Sequence, residues 1–207
     1  MNMPGASAST GIAVPSATVY TPTTVSNYWR DFWATFNRWP IKAHPAPGDI
    51  AGWDALREQV DELIASVTNP NSVSDLKVSV VSTNRNGVPV VHIRPATVIN
   101  DRQVLIYLHG GAYTFQSADS TLLAAGLMAN ATNLSVVSVD YTVAPRGKWN
   151  VVTNEVLAVY RSLLDEGYAG HQIGIFGDSA GGGLATGATL KMRDLGLSLP
   201  AALVLWS

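Results

Sequence analysis

Gln172-Ile173-Gly174-Ile175-Phe176-Gly177-Asp178-Ser179-Ala180-Gly181-Gly182 is the stretch that decides the fold. An apolar run from Gln172 to Phe176 leads into Gly-Asp-Ser-Ala-Gly, and small residues continue to Leu190. That order predicts a strand, a sharp turn with Ser179 at its apex, and a helix, the layout of a nucleophile elbow. The residues two before and two after the serine are both glycine, as expected where chain segments approach too closely for a Cβ. A serine at that apex also stands at a helix N-terminus, where free N–H groups can receive developing negative charge. Gly-x-Ser-x-Gly alone carries little weight in a chain with 18 glycines. Its place between a strand and a helix is what makes it informative.

Seventy residues earlier, His109-Gly110-Gly111-Ala112-Tyr113 follows the apolar run Val104-Leu105-Ile106-Tyr107-Leu108. Standing alone, His-Gly-Gly after a strand is an ordinary tight turn. Beside a nucleophile elbow it has a second meaning. Acyl transfer creates an oxyanion that needs N–H donors fixed in advance, and glycines let backbone N–H groups face a reacting carbonyl unobstructed.

With Asp140-Tyr141-x-x-Ala144-Pro145 between them, these motifs resemble the hormone-sensitive-lipase-like branch of the α/β-hydrolases, whose bacterial members are carboxylesterases. The similarity spans roughly residues 70 to 207. It implies Ser179 as nucleophile and the N–H groups of Gly110, Gly111 and Ala180 as the oxyanion hole. It further implies structural support from His109, Asp140 and Tyr141, and a substrate class of short- to medium-chain esters without any cofactor. Asp178 adjoins the serine, but neighbouring residues on a turn point apart, so it too is assigned to support. The chain departs from the family after Ala144-Pro145. An acidic residue and an aromatic-proline pair are usual there, and Arg146-Gly147-Lys148-Trp149-Asn150 stands instead.

In the resembled family the triad acid and histidine follow the serine at a distance. The ionisable side chains after Ser179 are Lys191, Arg193 and Asp194, and the four histidines are His44, His92, His109 and His171. None matches the catalytic histidine, so both groups are expected beyond residue 207, from a longer molecule or a companion chain. The 207 residues alone are expected to be inactive. Some relatives in the superfamily are small-molecule receptors that keep the serine and lack the histidine, and a non-catalytic binding role stays open as the alternative.

Charged residues make up 14% and hydrophobic residues 47%, where soluble domains average about 25% charged. A net charge of −2 gives no electrostatic reason to expect nucleic acid or an anionic membrane as partner. Zero cysteines exclude disulfides and thiolate metal sites, and no His-x-x-x-His pair suggests a metal. No apolar run approaches the ~18 residues of a membrane span. Residues 1–24 lack the basic and apolar regions of a secretory leader, so a cytoplasmic location is expected.

Three regions are expected: a flexible segment over 1–24, a helical cap over 25–70 and an α/β core over 71–207. Trp29, Phe32, Trp33 and Phe36 form a stripe at helical spacing between Val25 and Trp39. With Tyr113, the rings of Trp29 and Trp33 are candidates for a substrate pocket, against the plainer reading of ordinary packing. A second helix is predicted over Ile50 to Val67, capped by Asp49. Two strands should meet at Asn86-Gly87. After that, strands at 103–108, 135–139, 172–176 and 201–206 alternate with helices at about 118–130, 150–166 and 180–195. Ser117 is the expected N-cap of the first of these. The fold class is α/β: a mostly parallel sheet with flanking helices and an N-terminal helical cap. It is cut short after the strand that follows the nucleophile helix.

Overall fold

The hairpin that opens the sheet follows from two residues. Asn86 and Gly87 have φ of 49° and 88°, and two successive positive φ values suit the twist of a tight hairpin. They join β1 (Val78–Arg85) to β2 (Val88–Pro95) in antiparallel register, and Asn84 Oδ1 accepts the Gly87 N–H at 2.8 Å. The remaining elements alternate: β3 (Val104–Leu108), α2 (Leu122–Thr132), β4 (Ser135–Val139), α3 (Trp149–Asp165), β5 (Ile173–Asp178), α4 (Ala180–Asp194) and β6 (Ala202–Trp206). Before them runs α1 (Ile50–Val67). Its Asp49 Oδ1 accepts the Gly52 N–H at 2.9 Å, which is an N-cap. The computed structural model describes Thr24, Ser26, Asn27, residues 44–67 and residues 73–206. Ala43–Ser207 forms one compact unit, to which everything below belongs. The predicted aromatic helix over 25–39 lies outside the described residues, apart from Ser26 and Asn27.

The strand order is β1-β2-β4-β3-β5-β6, with β2 antiparallel to β4 and all later pairings parallel. All five residues of β4, three valines and two small serines, are buried, because helices cover both faces. Alternate side chains divide into two cores. Val90, Ile106, Val137 and Ile175 face α3 and α4, packing with Val156, Tyr160, Leu184 and Met192. Val91, Tyr107, Val136 and Phe176 face α2, packing with Ala125 and Ala129. Among the described residues no helix is long and apolar enough to cross a membrane.

The chain leaves β3 toward β4 on one side, whereas β5 lies on the other side of β3 and leads on to β6. Loops departing in opposite directions open a crevice at the C-terminal ends of β3 and β5. Those ends carry His109-Gly110 and Ser179.

One helix boundary differs from the sequence expectation. α2 begins at Leu122, not near Ala118, and Ser117 does not cap it. Side chains claim the intervening backbone instead. Ser120 Oγ accepts the Ser117 N–H at 2.8 Å, Ser117 Oγ accepts the Ser120 N–H at 3.1 Å, and Asp140 Oδ1 accepts the Ala118 N–H at 3.0 Å. Such local bonds offer the chain an alternative to a helical turn.

Candidate active site

Ser179 has φ 50° and ψ −118°, a conformation that a side-chain-bearing residue adopts only when its surroundings enforce it, at about 1–3 kcal/mol. The enforcement is visible on both sides. Its N–H donates to the Trp206 carbonyl of β6 at 2.6 Å, and its own carbonyl accepts the Gly182 N–H at 3.1 Å as α4 begins. A Cβ on Gly177 would collide with the Gly181 carbonyl and approach Leu108 O at 2.8 Å. One on Gly181 would collide with the Leu108 carbonyl and lie 2.7 Å from His109 O. The two glycines therefore let β3, β5 and the start of α4 meet behind the serine.

Asp178 turns away from the apex. Its Oδ1 accepts the Tyr107 hydroxyl at 2.7 Å and the Gly110 N–H at 3.1 Å. Burial, and then Asp178 itself, push the Tyr107 phenol well above its ordinary range, so the hydroxyl remains a donor. Gly110 has no room for a Cβ because the Asp178 carboxylate occupies that space. The sequence reading placed the Gly110 N–H in the oxyanion hole; in the structure it is engaged by Asp178.

The chain next passes through a series of left-handed residues: Gly111 (φ 98°), Ala112 (55°), Tyr113 (58°) and Gln116 (68°). Among the described residues no acceptor takes the N–H of Gly111, Ala112 or Ala180. Ala112 was not singled out from the sequence. The signal was the displaced glycine donor, which appears only once the bond from Gly110 to Asp178 is known.

His109 is fully buried and stacks on Tyr141, with ring centroids 4.2 Å apart and planes at 10°. Its Nδ1 lies 2.8 Å from the Gly110 carbonyl. A carbonyl only accepts, so Nδ1 carries the proton. Burial, partly offset by that bond, lowers the ring's pKa. Nε2 is buried without a partner among the described residues. The Tyr141 hydroxyl donates to His109 O at 2.7 Å, while Asp140 is spent on Ala118. All three hold backbone around the crevice.

Tyr113 lies against the first turn of α4, where a Cβ on Gly183 would come within 2.7 Å of its hydroxyl. With Gly147, Lys148, Trp149 and Val152 it lines a cavity of about 180 Å³. Trp29 and Trp33 lie outside the described residues. A larger concavity of about 630 Å³ is lined by Arg57, Asp61, Gln116, Asp140, Tyr141 and Arg146 among others. Ser179 is not part of its lining, so its size is no argument for a reaction there.

Sequence reasoning also missed Arg57 and Tyr107. Both act on partners more than fifty residues away, and no local pattern announces such contacts.

Comparison with known proteins agrees with this fold. Residues 105–207 match the family described as alpha/beta hydrolase fold. LipR of Mycobacterium tuberculosis is 42% identical over 117 residues, which are 56% of this chain and 38% of that protein. The acetyl-hydrolase of Streptomyces hygroscopicus is 36% identical over 112 residues, 54% of this chain and 37% of that protein. The crystal structure of an esterase from the bacterial hormone-sensitive lipase family superposes with a TM-score of 0.74 at 28% identity, covering 87% of this chain and 57% of that one. The chain thus spans well under half the length of these two curated relatives. Residues 105–207 have the α/β-hydrolase fold, and the chain is similar to esterases of the hormone-sensitive-lipase branch.

Proposed function

We propose that this chain carries the nucleophile and oxyanion hole of a serine carboxylesterase acting on short- to medium-chain esters. The observation that carries the reading is the backbone of Ser179. A serine is held at φ 50° between β5 and α4, and the N–H groups of Gly111, Ala112 and Ala180 have no acceptor among the described residues. In the reaction Ser179 Oγ attacks the ester carbonyl carbon and a histidine takes its proton. The carbonyl oxygen becomes an oxyanion received by the N–H groups of Gly111, Ala112 and Ala180. Collapse of that intermediate expels the alcohol, which leaves with the proton from the histidine. Water then attacks the acyl-serine by the same route.

The histidine and its acid are assigned to sequence outside residues 1–207. His109 is committed to Gly110 and Tyr141, and His44 stacks on Trp53. His92 lies on β2, and His171 precedes β5, at the opposite end of the sheet from Ser179. The likeness to a protein named as an acetyl-hydrolase supports small acyl groups as substrates. The same reading assigns residues 25–70 to a cap and 71–207 to the catalytic core.

A fluorophosphonate tests the assignment. The natural full-length protein should be labelled on Ser179 within minutes, and Ser179→Ala should abolish labelling and lower kcat by about 10⁴- to 10⁶-fold. A folded protein that binds esters but resists labelling would support the receptor-like alternative instead.

A further inference from the structure

Arg57 makes contacts that the elbow chemistry does not explain. It stands on α1, with its side chain 18% exposed. Its Nε donates to the Thr114 carbonyl at 3.0 Å, its Nη2 to the Ala144 carbonyl at 3.5 Å, and its Nη1 to Asp54 Oδ1 at 2.9 Å. Asp54 in turn accepts both terminal nitrogens of Arg146 at 2.5 Å. The circuit closes between the loops, because the Ala144 N–H donates to the Tyr113 carbonyl at 2.7 Å. Two side chains of one helix thus hold two loops, 111–116 and 142–147, from behind.

The departure noted after Ala144-Pro145 fits this arrangement. Arg146 stands where the resembled family usually has an acidic residue, and here it faces Asp54. A carboxylate there would oppose Asp54 across the same gap. The Arg146 guanidinium, chiefly by its hydrogen bonds, holds the Asp54 carboxyl down to about 2, so the pair stays ionised throughout the working pH range. Being half exposed, this pair adds little stability by itself. Its consequence is geometric: it fixes Asp54, which orients the Arg57 fork.

What the fork holds matters for the reaction. Thr114 and Phe115 both donate N–H groups back to the Gly111 carbonyl, at 2.9 and 2.8 Å. That carbonyl belongs to the peptide whose N–H is on Ala112. Movement of Thr114 would therefore tilt the Ala112 donor away from the oxyanion. We infer that Arg57 is a positioning residue for the oxyanion loop, holding Thr114 and Ala144 so that the Gly111–Ala112 peptide presents its N–H. The inference rests on the esterase reading above and falls with it.

The test uses the full-length protein, ester turnover and a trifluoromethyl ketone analogue of the ester. Ser179 Oγ adds to the ketone carbon and the carbonyl oxygen takes the negative charge, so affinity for this probe reports the oxyanion hole directly. Arg57→Ala should lower kcat by about 10- to 100-fold, leave KM within about twofold, and weaken ketone binding by the same factor as kcat. Arg57→Lys keeps the charge but cannot span both carbonyls and Asp54, so its loss should be intermediate; it also decides the matter should the alanine variant not fold. Variants that melt at lower temperature yet keep kcat and ketone affinity within about twofold of the parent would make Arg57 merely structural and overturn the inference. A fall in kcat with unchanged ketone affinity would overturn it too. Ser179→Ala in the same series separates the two levels. Turnover surviving that change defeats the esterase reading, whereas an inert Ser179→Ala beside a fully active Arg57→Ala defeats only this inference.

Discussion

Gly181 and His109 show how single residues set the terms of the site. Gly181→Ala would drive a methyl group into the Leu108 carbonyl and close to His109 O, both backbone atoms of a central strand and its exit. Neither can yield without moving β3 or α4. The expected cost is about 3 kcal/mol or more, measurable by chemical denaturation, with loss of fluorophosphonate labelling even in the folded fraction. An alanine variant within about 0.5 kcal/mol of the parent would mean that the elbow is not closed by this contact. His109 supplies a pH signature. Burial depresses its folded pKa below the ordinary histidine value of 6.5, so the unfolded chain binds its proton first as pH falls. Its contribution to stability is therefore complete above pH 6.5 and is lost as the pH drops through the depressed folded value. His92 is depressed as well, mainly by burial, and adds in the same direction. Unfolding free energy should fall below pH 6.5 by up to about 1.4 kcal/mol per pH unit per histidine, and His109→Gln should flatten the slope. A profile that rises as pH drops from 7 to 5.5 would contradict the burial of these rings. The glycines and the serine were legible in the sequence because steric need admits so few residue types. The bond that engages the Gly110 N–H was not legible, because its partner, Asp178, lies 68 residues away and is brought near only by the pairing of β3 with β5.

Among the elements, those with a local cause were legible and those bounded by distant contacts were not. The hairpin at Asn86-Gly87, the three buried parallel strands and α4 with Gly196 (φ 68°) beyond its end all follow from short-range sequence chemistry. The start of α2 does not, because Asp140, from the end of β4, takes the Ala118 N–H. α1 combines the two cases. Its span and its Asp49 cap were foreseen from spacing and capping preference, whereas its attachment to the loops through Arg57 was not. The cap and the attachment can be separated by experiment. Asp49→Ala removes the acceptor for the Gly52 N–H and should cost about 1 kcal/mol, with kcat unchanged because Arg57 lies two turns further along. Thermal melts and initial rates on the same preparation check both halves. A large kcat loss from Asp49→Ala would mean that the whole helix, rather than its Arg57 side chain, sets the loop.

At the scale of the molecule, the two outer strands are not equivalent. β1 has polar residues interspersed and ends in Arg85, which pairs with Glu166 at 2.5 Å. β6 is Ala-Leu-Val-Leu-Trp, and all five residues are exposed among the described residues, with Leu205 at 49% and Trp206 at 43%. A continuous apolar strand with one free edge invites a further strand to pair with it, while interspersed charge and polarity discourage this. The edge is also tied to the chemistry, since the Trp206 carbonyl receives the Ser179 N–H at 2.6 Å and the Trp206 ring meets Phe176 edge-on at 5.6 Å. Whatever covers β6 therefore bears on the serine. For the 207-residue chain by itself the expectation is self-association through β6. Val204→Lys should shift sedimentation toward the 21.9 kDa monomer, because a lysine on that strand introduces charge where a partner would stack. Val81→Lys on β1, at a position 58% exposed, should leave the distribution unchanged. If the β1 substitution dissociates the chain as effectively as the β6 one, association is general stickiness rather than strand addition, and β6 loses its claim to be the surface that the site depends on.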